Sequence, residues 1–172
     1  MPLCLAFAVF PDGPPLAHTG GFGEPTCLEC HRGDPLNSPG GELRLIDVPD
    51  RYVPGHSYDI GILLRRSDLM RAGFEAALRH EGGTQAGGLA AGEGLEAKIR
   101  VRRDTTRGIL YAHHIRAGTD VQGDSARWTV RWTAPDSGGD VLIHVASVAA
   151  NDDNSPLGDY VYSVTARIRG PE

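Results

Sequence analysis

Short segments that alternate apolar and polar residues with a period of two, cut at close intervals by Gly, Pro, Asp and Asn, commit this chain to β architecture. The clearest is Arg127-Trp128-Thr129-Val130-Arg131-Trp132, which sends Trp128, Val130 and Trp132 to one side and Arg127, Thr129 and Arg131 to the other. Ser57 to Leu64 likewise sets Tyr58, Ile60, Ile62 and Leu64 on one face. Further candidates are Leu43 to Val48, Ala72 to Leu78, Leu95 to Val101, Ile109 to Ile115 and Tyr160 to Ile168. Val141 to Val148 is a near-continuous apolar run, as a central strand would be. Pro49-Asp50, Pro54-Gly55, Gly82-Gly83 and Pro135 to Gly139 punctuate these runs. With no convincing amphipathic helix, the pattern predicts an all-β fold, a two-sheet β-sandwich of about eight strands. The 23 Gly and 12 Pro among 172 residues fit a chain of many turns.

Composition excludes several functions. Seventeen basic against 22 acidic residues give a net charge of −5, and the basic clusters, Arg65-Arg66 and Arg100 to Arg103, are short. A nucleic-acid surface would need a basic stripe. No apolar run approaches the roughly 18–20 residues of a spanning helix, so the chain is not read as membrane-spanning. Met1 to Phe10 is apolar but short, without a basic start. Residues 1–17 are therefore read as the remnant of an export signal whose start lies upstream.

Against this background stands Cys27-Leu28-Glu29-Cys30-His31. C-x-x-C-H is the attachment motif of c-type haem. Two thiols at this spacing reach the two vinyl groups of one porphyrin, and the histidine that follows is held beneath the iron. A structural zinc site would want a second paired motif, and the only other cysteine is Cys4. A thioredoxin-like pair would precede a helix, whereas Arg32 to Gly41 carries Pro35, Pro39 and three glycines. A plain Cys27–Cys30 disulfide remains an alternative.

Gly23-Glu24-Pro25-Thr26 ahead of the motif, Tyr52-Val53-Pro54-Gly55 with Tyr58, Met70-Arg71-Ala72-Gly73-Phe74-Glu75 and Gln85-Ala86-Gly87 follow one another in a recognisable order. Tyr111-Ala112-His113-His114 with Ala117-Gly118-Thr119, Trp128 to Trp132 with Ala134-Pro135, and Ala149-Ala150-Asn151 with Gly158-Asp159-Tyr160-Val161-Tyr162 complete it. In that order they resemble the bacterial Reeler-like (choice-of-anchor V) domain, from about Gly20 to Ile168. The resemblance implies an Ig-like β-sandwich exported to the periplasm or cell surface, with a C-x-x-C-H near its N-terminus. It divides the chain into residues 1–17, a haem-attachment segment 18–40 and a sandwich 41–170.

A six-coordinate haem needs a second axial ligand, usually His or Met. His18, His56, His80, His113, His114, His144, Met70 and Met1 are the candidates. His113 alternates with Ile109 and Tyr111, and His114 with Leu110 and Ala112, so strand parity does not choose between them. The resemblance favours His114, which falls at the histidine of a Y-x-x-H pattern, and sets Met70 where the family has Met before Gly-Phe. The expectation is a non-enzymatic, exported, mono-haem c-type cytochrome domain, an electron carrier or relay for redox protein partners or other haem subunits. Cys27 and Cys30 hold one covalent haem c, and His31 and His114, or else Met70, bind its iron. The alternative is a cell-surface binding or adhesion module with a Cys27–Cys30 disulfide. A weaker third reading is a haem sensor or peroxidase-like site with an open sixth position. Asn151 to Asp159 is rich in oxygen ligands but lacks EF-hand spacing, and is read as a turn between strands.

Overall fold

The strongest alternation folds as read: along Ser125–Thr133 every second residue, Ala126, Trp128, Val130 and Trp132, is buried. The computed structural model describes residues 12–172. The greater part of the expected export remnant, residues 1–11, lies outside the described residues. Among the described residues nine strands form: β1 (Gly41–Ile46), β2 (Ser57–Arg66), β3 (Arg71–His80), β4 (Gly88–Ala91), β5 (Ile99–Asp104), β6 (Ile109–His114), β7 (Ser125–Thr133), β8 (Val141–Ala150) and β9 (Tyr160–Ile168). They make two antiparallel sheets, ordered β1-β2-β7-β4 and β5-β6-β3-β8-β9. The all-β two-sheet sandwich is thus observed, with one strand more than the periodicity suggested. The extra strand is β4, whose Gly-Leu-Ala-Ala carries no alternation and forms by pairing with Thr133 to Val130 of β7. The run expected at 95–101 starts later. Lys98 and Ile99 both donate to the Leu95 carbonyl at 2.9 Å, closing a turn before β5.

Between the sheets, Ile60, Ile62 and Leu64 of β2 and Trp128, Val130 and Trp132 of β7 meet Phe74, Ala76 and Leu78 of β3 and Val141, Ile143 and Val145 of β8. Burying side chains of this size contributes about 1.5–3 kcal/mol each. Both tryptophans use their one donor inside the core, Trp128 Nε1 to the Gly118 carbonyl (2.7 Å) and Trp132 Nε1 to that of Ala86 (2.8 Å), so neither leaves a buried N–H unpaired.

The five-stranded sheet is covered on its other side too. Its outer face presents Gly73, Glu75, Ala77 and Arg79 on β3, Ile109, Tyr111 and His113 on β6, and His144, Ala146 and Val148 on β8. The N-terminal segment crosses this face. Leu16 and Ala17 pack on Ala77, Ile109 and Tyr111. Phe22 meets the His144 ring edge-on, centroids 5.1 Å apart, and a Cβ at Gly21 would fall 2.4 Å from that ring. Farther on, Asn37 donates to the Val161 carbonyl (2.9 Å) and accepts from Ser163 N–H (2.8 Å), so the segment also lines the free edge of β9. At the end of the sandwich where β8 begins and β9 stops, Arg169 N–H donates to Asp50 O (2.9 Å) and Gly170 N–H to the Asp140 carboxylate (2.9 Å). Among the described residues no helix is long and apolar enough to cross a membrane.

Candidate functional site

The C-x-x-C-H motif is a tight turn. Cys27–Glu29 forms a single 3-10 turn whose first N–H groups are met by Thr26 Oγ1, which accepts from Leu28 N–H. The Cys27 carbonyl then accepts from both Cys30 N–H (3.2 Å) and His31 N–H (2.8 Å). Both cysteines are unbridged; Cys30 is exposed and Cys27 half-buried against the sheet. Burial, with the Glu75 carboxylate nearby, pushes the Cys27 thiol up to about 12.

His31 is fixed from the far side of the chain. Its Nδ1 lies 2.6 Å from Oδ2 of Asp159, which is 1% exposed. The other Asp159 oxygen accepts from Asn151 N–H. Arg32 N–H bonds the Pro156 carbonyl (2.9 Å) and Gly158 N–H the Arg32 carbonyl (3.2 Å), riveting the turn to the connection between β8 and β9. An ionised carboxylate only accepts, so Nδ1 carries the proton and Nε2 of neutral His31 keeps its lone pair. A carboxylate on the second nitrogen is the usual arrangement for a metal-binding imidazole.

His114 ends β6, and its ring stands beside β3 where a ladder pair would otherwise form. Nδ1 lies 2.9 Å from Phe74 N and 3.2 Å from Phe74 O, and which bond forms depends on the tautomer. The ring occupies space that only glycine leaves, since a Cβ at Gly73 would come within 2.5 Å of His114 Cε1. Burial lowers His114 to about 4, against the Phe74 hydrogen bond, with the neighbouring imidazoles of His113 and then His31 acting in the same direction as burial. By strand parity His114 falls with core-facing Ala112, but its ring reaches the space where a Cβ of Gly73, an outer-face residue, would stand, and His31 lies near enough for its charge to act on it. In the register Gly73 pairs with Val148, and Val148 with Val161 two residues past Asp159, so the floor between the imidazoles is small and apolar.

The other candidates are placed differently. Both His18 nitrogens are engaged, Nε2 with Glu29 (2.6 Å) and Nδ1 with the Leu16 carbonyl (3.1 Å). His113 Nδ1 bonds the His114 carbonyl, and its Nε2 is buried without a partner among the described residues. His144 lies under Phe22, and His56 stacks edge-on to Tyr58. Met70, just ahead of β3, is 58% exposed. Met1 lies outside the described residues. Asn151, Asp153 and Ser155 bond one another's backbone in successive local turns, as read. Among the described residues no cluster of three or more His, Cys, Asp or Glu is placed to hold a bare metal ion.

Two groups were missed from sequence. Asp159 stands 128 residues from His31, and no spacing rule joins them. Glu75 is a lone carboxyl in an apolar strand, fully buried, with Oε2 accepting from His18 N–H (2.6 Å) and Oε1 unpartnered among the described residues. Burial, with Glu24 nearby, raises it to about 8. An acid in the otherwise apolar Gly73 to Leu78 run was the available signal. For the c-type haem that the motif implies, the donor set fits: two unbridged thiols and two imidazoles, each tied through Nδ1.

No family model and no curated protein matches the chain. Among solved structures it is similar to the Reelin-N domain of F-spondin, with a TM-score of 0.54 at 19% identity over 85% of this chain and 96% of that one. The human F-spondin reeler domain matches with a TM-score of 0.50 at 18% identity, over 80% and 93%. A cohesin module from a Clostridium perfringens family 33 glycoside hydrolase matches with a TM-score of 0.53 at 11% identity, over 78% and 99%. At these identities the likeness concerns the fold alone: the chain is a β-sandwich of Reeler-like fold.

Proposed function

We propose that this chain is a non-enzymatic Reeler-like module that carries one covalently attached c-type haem and works outside the cytoplasm, at the periplasm or cell surface, as an electron carrier or relay. The observation that carries this reading is the pair of imidazoles, His31 and His114, at the end of the five-stranded sheet where Gly73, Val148 and Val161 pair. Each is anchored through Nδ1, and one belongs to a C-x-x-C-H turn. A haem held there supplies one-electron chemistry at its iron. Cys27 and Cys30 hold the porphyrin through thioethers. Asp159 keeps the proton of His31 on Nδ1 and so directs Nε2 to the metal. His114 is the better second ligand than Met70, because its ring is wedged in place whereas the Met70 side chain is 58% exposed.

A second reading has its own support. Solved structures of similar fold include Reeler domains and a cohesin module, and that likeness favours a partner-binding or adhesion module over an electron carrier. In that reading Cys27 and Cys30 serve as a disulfide.

Expression into the periplasm beside a haem-attachment system separates the two. Sharp reduced α and β bands, with colour that survives acid–acetone extraction and vanishes in Cys27→Ala with Cys30→Ala, are expected for attached haem. Haem that extracts freely, or a protein with only aromatic ultraviolet absorbance, overturns the haem reading in favour of the binding module.

A further inference from the structure

The segment that bears Cys27 is held to the sheet by a buried polar knot three residues upstream. Gly20 N–H bonds the Pro25 carbonyl (2.9 Å) and Glu24 N–H that of Gly21 (3.0 Å), folding residues 20–25 into a tight loop with Glu24 pointing inward. Glu24 Oε1 takes Arg79 and the Tyr111 hydroxyl (2.5 Å), while Oε2 takes the Thr19 hydroxyl (2.7 Å). Arg79 also donates to the Tyr111 oxygen (2.5 Å). The Arg79 and Glu24 side chains are 5% and 6% exposed. Burial opposes the Glu24 charge, but its hydrogen bonds from Tyr111, Arg79 and Thr19 outweigh it and hold the carboxyl below its ordinary value. An ion pair this buried loses far more when one partner is removed than a surface pair does. Downstream, His31 and Arg32 are pinned to residues 156–159. Cys27 therefore sits between two clamps, facing Glu75, whereas Cys30 lies on the exposed side of the same turn.

We propose that Glu24, Arg79 and Tyr111 form a latch that decides whether Cys27 is available: closed, it seats the turn on the sheet and shuts the Cys27 thiol in, and Cys27 reacts only when residues 20–30 lift. The three are positioning residues for thiol chemistry at Cys27. On the haem reading they order the assembly: on the lifted segment each thiol would add across a porphyrin vinyl double bond, sulfur to one carbon and the proton to the other, and His31 would come to His114 as the latch closes. The latch itself rests on that reading only for the use made of the thiol. The closed state is doubly unreactive, because the reacting species is the thiolate. A thiol pushed from an ordinary 9.0 up to about 12 has about a thousandfold less thiolate at neutral pH.

The test is the alkylation rate of each thiol in the reduced, haem-free protein, with N-ethylmaleimide as probe; the thiolate adds across the maleimide double bond and the ring carbon takes a proton. Mass spectrometry of the 20–40 region reads Cys27 and Cys30 separately. Cys30 is expected to label at least a hundredfold faster than Cys27. The Cys27 rate should keep rising about tenfold per pH unit beyond pH 10, since its titration lies higher still. Glu24→Gln, and Tyr111→Phe as the milder variant that keeps the ion pair, should speed Cys27 at least tenfold and bend its pH profile near the ordinary thiol value, leaving Cys30 unchanged. Equal rates for the two thiols in the unaltered protein overturn the latch. So does a Cys27 rate and profile that stay unmoved in Tyr111→Phe. No haem enters the measurement, so its failure removes the latch alone, and a colourless exported protein removes the haem reading alone.

Discussion

At the scale of single residues, the site turns on which ring nitrogen carries a proton. Asp159 fixes that for His31, but His114 has two choices. Accepting from Phe74 N–H puts its proton on Nε2, whereas donating to Phe74 O frees Nε2 for a metal. Ligand binding at His114 therefore selects the second tautomer. On the haem reading, His114→Ala should turn the spectrum toward high spin and open the iron to carbon monoxide, while Met70→Leu leaves both alone. A methionine–iron charge-transfer band lost in Met70→Leu would move the assignment to Met70. Glu75 makes a second prediction, for the haem-free chain. Its pKa near 8 in the fold, against an ordinary 4.5, means the folded protein keeps a proton that the unfolded chain has released. Stability present below about 4.5 is thus lost as pH rises toward 8, at about 1.4 kcal/mol per unit at most. His114, lowered to about 4, acts oppositely: its contribution is present above about 6.5 and is lost as pH falls toward 4. The two offset below pH 6.5, leaving a net decline between 6.5 and 8. Urea titrations over that range should show it in the unaltered protein and not in Glu75→Gln.

At the scale of elements, what the sequence disclosed depended on where each side of a strand ends up. β2, β7 and β9 read correctly because one face meets the core and the other is more polar, which is what a period of two reports. β4 was silent because four small residues carry no alternation. The 95–101 run misled in the opposite way: Leu95 and Ala97 alternate with charged residues, but Leu95 begins a turn. The covering segment was half legible. Near-continuous burial of β8 matches its apolar run, the signature of a strand covered on both faces, whereas β3, read as alternating through Phe74, Ala76 and Leu78, is buried on both faces as well. Nothing local indicated that residues 12–32 were the cover, because contacts such as that between Glu24 and Arg79 span 55 positions. C-x-x-C-H was legible as a motif, whereas Asp159, which holds its histidine, and Gly73, beside His114, were brought by topology. Gly73 offers a test of strand β3 as the platform for His114. Gly73→Ala forces a Cβ into the ring, so about 1–3 kcal/mol of stability should go. The His114 ring resonances should shift with it, and unchanged stability and ring resonances would contradict the wedge.

At the scale of the whole molecule, the chain is a sandwich with a third, irregular layer. That layer covers Ala77, Ile109, Tyr111 and His144 and lines the edge of β9. A chain beginning at Gly41 keeps every strand but bares this face and edge, and unpaired strand edges invite association between copies. We expect it to sediment as oligomers or aggregate, whereas Cys27→Ala with Cys30→Ala, which keeps the layer, stays folded; a monodisperse, fully stable Gly41 fragment would show the layer to be dispensable. The two ends of β9 have a consequence of their own. Asp159, under the cysteine-bearing turn, precedes its first residue, and Arg169 and Gly170, tied to Asp50 and Asp140, follow its last. Nine residues of extended strand separate them by about 30 Å. A tag, bead or electrode linker fused after Glu172 would therefore leave from the far pole of the sandwich and hold the molecule upright, with Cys30 and His31 turned toward solution and whatever diffuses there.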